Sequence, residues 1–200
     1  MAQVDSENTT GMPAESEKTL FRRTDISPED FFQALGRLVS VGKFGQGRLK
    51  VRFRASGNDA MLDELVRRYG LQSLVEVLPP IDYRGALAEM LRADGLLILQ
   101  AANCNEQIPA KLYEYLRAGR PLLALTDPSG DTAAAVRAAG IGAIARLDSP
   151  DEIAVALDHF VEAIRQGRAV LPETTAVARL ERREQARDLA RLLDEARLPA

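Results

Sequence analysis

Two glutamates, a lysine and a proline dominate the chemistry that this chain could perform. They stand in the run Asn103 to Leu125, NCNEQIPAKLYEYLRAGRPLLAL, as Glu106, Pro109, Lys111 and Glu114. The run reads as a loop, a short helix and a buried strand. Pro109 suits a helix start, because its missing N–H is one that no intrahelical carbonyl would receive and its φ is already helical. Gly119 closes the helix. At about 100° per residue, Ile108, Leu112, Tyr115, Leu116 and Gly119 share one side, as a helix packed on a sheet requires, and Gln107, Lys111 and Glu114 share the other. A helix start carries free amides and the positive end of a dipole, so the loop Cys104 to Gln107 is expected to form an anion cradle, with Lys111 adding a full charge. Carboxylates on either side of such a cradle are acceptors for paired hydroxyl groups.

The elements that must position this run alternate along the chain. Residues 1–18 are polar and lack apolar periodicity, so they are expected to be disordered. Thr19 to Arg22 is read as a short edge strand. Ser27 and Pro28 open a helix to about Val41, followed by the glycines 42, 45 and 47. Strands are then expected at Leu49 to Arg54, Val75 to Leu78, Leu96 to Leu99, Pro121 to Leu125 and Gly142 to Ala145. Helices are expected at Ala60 to Tyr69, from an Asp82 cap to Ala93, Thr132 to Ala139, from a Ser149 cap to about Gln166, and Thr174 to Arg197. Leu96 to Leu99 is fully apolar, as a central strand buried on both faces would be.

Alternating strands and helices at this spacing imply βαβ units and a doubly wound parallel sheet with flanking helices, in an α/β fold of Rossmann-like type. The expected organisation is one domain over residues 19–172, with a long C-terminal helix over 173–200 that packs on it, extends from it or serves as a homodimer face. Ligands of such sheets bind outside the carboxyl ends of the strands. The loops Ser56 to Asp59, Pro80 to Tyr83, Asn103 to Gln107 and Asp127 to Asp131 meet that condition.

The order Glu106-x7-Glu114, with Pro109, the Lys111-x-x-Glu114-Tyr115 box and the closing Ala118-Gly119-Arg120-Pro121, resembles the donor-binding signature of GT-B glycosyltransferases of the family-4, or group 1, type. The resemblance spans roughly Asp25 to Ala196, the C-terminal, nucleotide-sugar half of such an enzyme. It implies retaining hexosyl transfer from a nucleotide-diphosphate sugar to a glycan or lipid-linked acceptor in polysaccharide biosynthesis. By the same resemblance Glu106 and Lys111 are the catalytic residues, and Asn105, Gln107, Ile108, Glu114, Pro80 and Ile81 contact the donor. Glu114 would hold the ribose, Glu106 and Gln107 the sugar, the Pro80 loop the nucleobase, and Lys111 with the helix start the diphosphate. The family's first strand ends in a glycine-bearing turn followed by basic residues that clamp the diphosphate. Here only Arg22 and Arg23 stand in that place. The family's acceptor domain has no counterpart in this sequence, which leaves two alternatives: a non-catalytic nucleotide-sugar-binding remnant, or one subunit of a split transferase with a separate acceptor-binding chain.

Composition narrows the remaining classes. A net charge of −3, with acids and bases interleaved, gives no electrostatic case for nucleic acid. The absence of a long apolar run argues against an integral membrane segment, and the acidic, polar start has no secretory pattern, so the expected place is the cytoplasm, with the inner face of the membrane as an alternative. Cys104 is the single cysteine and has no base beside it in sequence, and His159 is the single histidine with no second ligand type clustered near it. Neither a metal nor a cofactor is expected beyond the nucleotide sugar. No Gly-x-Gly-x-x-Gly follows a strand and no Gly-x-Ser-x-Gly is present, so dinucleotide binding and hydrolase chemistry have no support.

Overall fold

A computed structural model describes residues 28–45 and 49–197. Thr19 to Arg22, Ser27, Gly47 and residues 1–18 therefore lie outside the described residues, as do Arg22 and Arg23. Helices and strands alternate in the order α1 (Glu29–Ser40), β1 (Val51–Arg54), α2 (Asp59–Arg68), β2 (Val75–Leu78), α3 (Tyr83–Arg92) and β3 (Leu96–Leu99). A 3-10 turn (Ala102–Cys104) leads to α4 (Ala110–Ala118), β4 (Leu122–Leu125), α5 (Asp131–Ala138), β5 (Ile144–Ala145), α6 (Pro150–Arg165), α7 (Thr174–Arg179) and α8 (Arg182–Arg197).

Every strand pair is parallel, as helical crossovers demand. Among the described residues the strands form two small sheets, β1–β2 and β3–β4–β5, with helices flanking them. Val51 lies opposite Val75, Leu96 opposite Leu122 and Ala124 opposite Ile144. In β4 the two-residue period sends Leu123 and Leu125 into one core cluster and Leu122 and Ala124 into the other, all at 1% exposure or less. The expectation that β3 is buried on both faces is corrected: Leu96 and Ile98 are buried, whereas Leu97 and Leu99 are only partly so. Its partner β4 covers one edge alone, so β3 is a border strand among the described residues.

The first cluster joins α1, α2 and α6 to β1, β2 and β4. Its centre is aromatic: Phe32 stacks on Phe53 with centroids 5.5 Å apart, and Phe31 meets both rings edge-on at 5.6 and 6.0 Å. Such pairs add about 0.5–1.5 kcal/mol each beyond area burial. Leu49, Val51 and Phe53 face this core, and the alternate residues of β1 carry charge. Lys50 and Arg52 pair with Glu76 at 2.5 and 2.8 Å, and Arg54 with Glu89 at 2.8 Å. The second cluster packs α4 and α5 on β3 and β4 through Leu112, Leu116, Val136 and Ile141.

Caps follow sequence chemistry in two places. Asp82 accepts from the Gly85 amide at 2.9 Å and Ser149 from the Glu152 amide at 3.3 Å, with Pro150 opening α6. Gly95 does not end α3; Ala93 leaves the helix in extended conformation. Its role is close approach, since a Cβ at Gly95 would lie 2.7 Å from Ile164 Cδ1 and 2.8 Å from Phe160 Cζ. The expected single C-terminal helix is broken into α7 and α8. Val177 and Leu180 anchor the first piece in the second cluster, and the following residues, Glu181 to Gln185, offer no apolar side chain to hold a continuous helix down.

Candidate functional site

Two loops at the carboxyl ends of β3 and β4 are bound to each other, and Asn105 is their joint. Its Nδ2 donates to Asp127 Oδ2 at 2.6 Å, and its backbone carbonyl accepts from the Asp131 amide at 2.8 Å. A Cβ on Gly130 would come within 3.0 Å of Asn105 Oδ1, so the close contact depends on that glycine. Asp127 also accepts from the Ser129 amide at 2.8 Å and from Ser129 Oγ at 2.7 Å. Those donors, the Ser129 amide first, hold its carboxyl at a pKa of about 2.

Beneath the joint lies a buried polar pair. Gln100 follows β3 directly and its Nε2 donates to the carbonyls of Cys104 and Gln107 at 2.7 and 2.6 Å. Thr132 Oγ1, in the first turn of α5, donates to Gln100 Oε1 and also lies 3.1 Å from the Gln107 carbonyl. Both side chains are buried. Buried amides and hydroxyls persist where they are paired; here the pair binds the Cys104 and Gln107 carbonyls, and the Asp131 amide binds that of Asn105, so three loop carbonyls are held by hydrogen bonds within the protein.

Pro109 has ψ 132° and precedes the helix rather than occupying its first turn, so α4 begins at Ala110. No side chain caps that start, and the Leu112 amide closes onto the Pro109 carbonyl at 2.9 Å. Gly119 ends the helix in the left-handed region, φ +64°, as its position implied.

The structure divides the candidate residues into groups. Ile108 is partly buried against the second cluster and anchors the loop. Glu106 and Gln107 are exposed just ahead of α4. Lys111 is exposed on α4 and pairs with the partly buried Glu114 at 3.3 Å. Pro80 and Ile81 are exposed at the end of β2, where Arg54 donates to the Pro79 carbonyl at 2.8 Å and so ties that loop to the end of β1. Ala55, just beyond β1, has φ +54°, a conformation that a residue with a Cβ seldom holds. Thus hydrogen bonds bring together the loops of β3 and β4, and separately those of β1 and β2.

Gln100, Asp127 and Thr132 hold these loops together, and the sequence pattern did not single them out by role. A glutamine directly after an apolar strand and a threonine in a helix's first turn are the only local marks they leave. Cys104 is a free thiol, partly buried in the turn ahead of the loop. His159 is exposed on α6, away from these loops. Among the described residues no group of His, Cys, Asp and Glu is arranged to hold a metal ion, and no helix is long and apolar enough to cross a membrane. Two cavities, of about 310 and 720 Å³, lie along α6, and neither is lined by Glu106, Lys111 or Glu114. No protein-family model matches the chain, and no curated protein matches it.

Proposed function

We propose that the chain is the donor-binding half of a GT-B glycosyltransferase, that its parallel strands belong to the doubly wound sheet of that fold, and that it holds a nucleotide-diphosphate sugar at the start of α4. One observation carries the proposal: Gln100, Thr132 and the Asp131 amide bind the Cys104, Gln107 and Asn105 carbonyls of the 103–107 loop, while the start of α4 carries no side-chain cap and is left for an anion. In this reading the diphosphate lies on the amides at the helix start, with Lys111 beside it. Glu114 accepts from the ribose hydroxyls, and Glu106 with Gln107 faces the sugar. Pro80 and Ile81 border the nucleobase.

The Lys111–Glu114 pair does not obstruct the ligand. An exposed pair three residues apart contributes about 0.2–0.5 kcal/mol, and a charged hydrogen bond to a ligand about 1.5–3 kcal/mol, so ligand contacts outcompete it. During hexosyl transfer negative charge grows on the departing diphosphate. Lys111 and the dipole of α4 are placed to stabilise it. The acceptor would be presented by a separate domain or chain, with this protein working in the cytoplasm or at the inner face of the membrane.

Calorimetric titration with UDP, GDP and their sugars tests the assignment. Lys111→Ala and Glu114→Ala are each expected to weaken nucleoside diphosphate binding by about 1–3 kcal/mol. Unchanged affinity in both variants removes the site.

A further inference from the structure

The two sheets run apart from a common middle. In one, β1 leads through α2 to β2, and α2 packs in the first cluster. In the other, β3 leads through α4 to β4 and through α5 to β5, and both helices pack in the second cluster. Parallel crossovers are right-handed in about 98% of cases, so helices on opposite faces send the two series in opposite directions. Leu97 and Leu99 of β3 pack on the same cluster as Val51 and Phe53 of β1. The sheets therefore lie side by side, with β1 and β3 nearest the middle.

Both strands turn a row of backbone groups toward that middle. The Val51 and Ala55 amides donate to the Leu74 and Leu78 carbonyls at 2.8 and 3.0 Å, which leaves the backbone groups of Arg52 and Arg54 on the other edge. The Leu96 and Gln100 amides donate to the Pro121 and Leu125 carbonyls at 2.8 and 2.9 Å, which likewise leaves those of Leu97 and Leu99 on the edge away from β4. Among the described residues neither row has a backbone partner. Buried main-chain donors and acceptors persist where they are paired, and one strand laid between β1 and β3 pairs both rows at once.

Handedness names the segment that enters. Helix α1 lies on the same face as α2, in the first cluster, and leads into β1. By the same rule a parallel strand that precedes α1 belongs on the edge of β1 remote from β2, which is the open one. Ahead of α1 the sequence has one adjacent pair of bulky apolar residues, Leu20 and Phe21. Neighbouring side chains of a strand point to opposite faces, so such a pair supplies one to each cluster. Residues 23–28 are left to reach α1, within the usual ~2–6 residues of a βα connection.

We propose that Thr19 to Arg22 is not an edge strand but the central strand of one continuous sheet, lodged between β1 and β3 of its own chain. The turn 23–28 then stands between the β1–β2 loops and the β3–β4 loops, in the crevice where ligands of such sheets bind. Nuclear Overhauser spectra of the isotope-labelled full chain test this. Amides of residues 19–22 are expected to show cross-strand contacts to Arg52 or Arg54 on one side and to Leu97 or Leu99 on the other. They should also exchange with solvent about a hundredfold more slowly than those of residues 5–15. Contacts to β1 alone, to β3 alone or to neither overturn the proposal. So do contacts seen only between differently labelled copies in a mixed sample, which would mean that a second chain supplies the strand. Phe21→Pro removes a donor that a central strand requires and should speed exchange at Leu97 and Leu99 by about tenfold or more, whereas Glu15→Pro should leave it unchanged. Equal effects of the two variants overturn the proposal as well.

Discussion

Replacing Gln100 with methionine removes the hydrogen bonds beneath the candidate site while nearly conserving volume. The Nε2 bonds to the Cys104 and Gln107 carbonyls are lost, at 2.7 and 2.6 Å, together with the acceptor for Thr132. Neither carbonyl is orphaned: Cys104 O still accepts from the Gln107 amide at 3.0 Å, and Gln107 O has Thr132 Oγ1 at 3.1 Å. The loss is therefore the net value of two bonds, about 1–3 kcal/mol, against a total stability on the order of 5–15 kcal/mol. In a domain of this size that lowers Tm by about 2–12 °C.

The same change frees the 103–107 loop from its inward pull, so the affinity for nucleoside diphosphate should fall about tenfold with the loop's pre-organisation. Thr132→Val leaves Gln100 Oε1 without its donor in a buried site and costs about 1–3 kcal/mol. The double variant should cost less than the sum of the two, because the shared Thr132–Gln100 bond is counted in both. Thermal melts and calorimetric titration of the three variants measure all of this. A Gln100→Met protein that melts within about 1 °C of wild type, with unaltered diphosphate affinity, would refute the idea that this pair holds the loop.

Two other outcomes follow from the geometry. Asp127 has its folded pKa depressed from 3.8 to about 2 by donors to the carboxylate, so its stabilising contribution is full above pH ~4 and is lost as pH falls from ~4 toward ~2. Urea midpoints of wild type and Asp127→Asn should accordingly differ at pH 7 and converge across that acid window; a constant gap would contradict the assignment. Gly119→Ala meets no atom within 4 Å but must hold φ +64°, so a conformational cost of about 1 kcal/mol is expected, seen as a Tm lower by about 2–4 °C.

The local patterns were legible where a single element carries the information. The buried face of α4 was readable because Leu112, Tyr115 and Leu116 repeat at helical spacing, and Gly119 because only a left-handed residue ends the helix there. The strands β1 to β5 were readable within a residue or two for the same reason. The tail was misread as one helix, because the polar run 181–185 keeps helical propensity while giving the domain nothing to hold. The constraint on Gly95 comes from Phe160 and Ile164, far along the chain, and leaves no local mark.

The brace was not legible for a stronger reason. Gln100 and Thr132 are 32 residues apart, and Asn105 and Asp127 are 22 apart. A polar side chain beside a strand reads equally well as a solvent-facing loop residue until the fold sets its partner against it. Yet these pairs decide how the visible signature can act. The box from Glu106 to Glu114 supplies charges, but a loop of the same sequence with its carbonyls turned outward would place negative dipole ends at the mouth and repel a diphosphate. In the proposed reading, sequence spacing names the groups that would touch the ligand, and the Gln100–Thr132 and Asn105–Asp127 pairs would set the sign of the field in which those groups act.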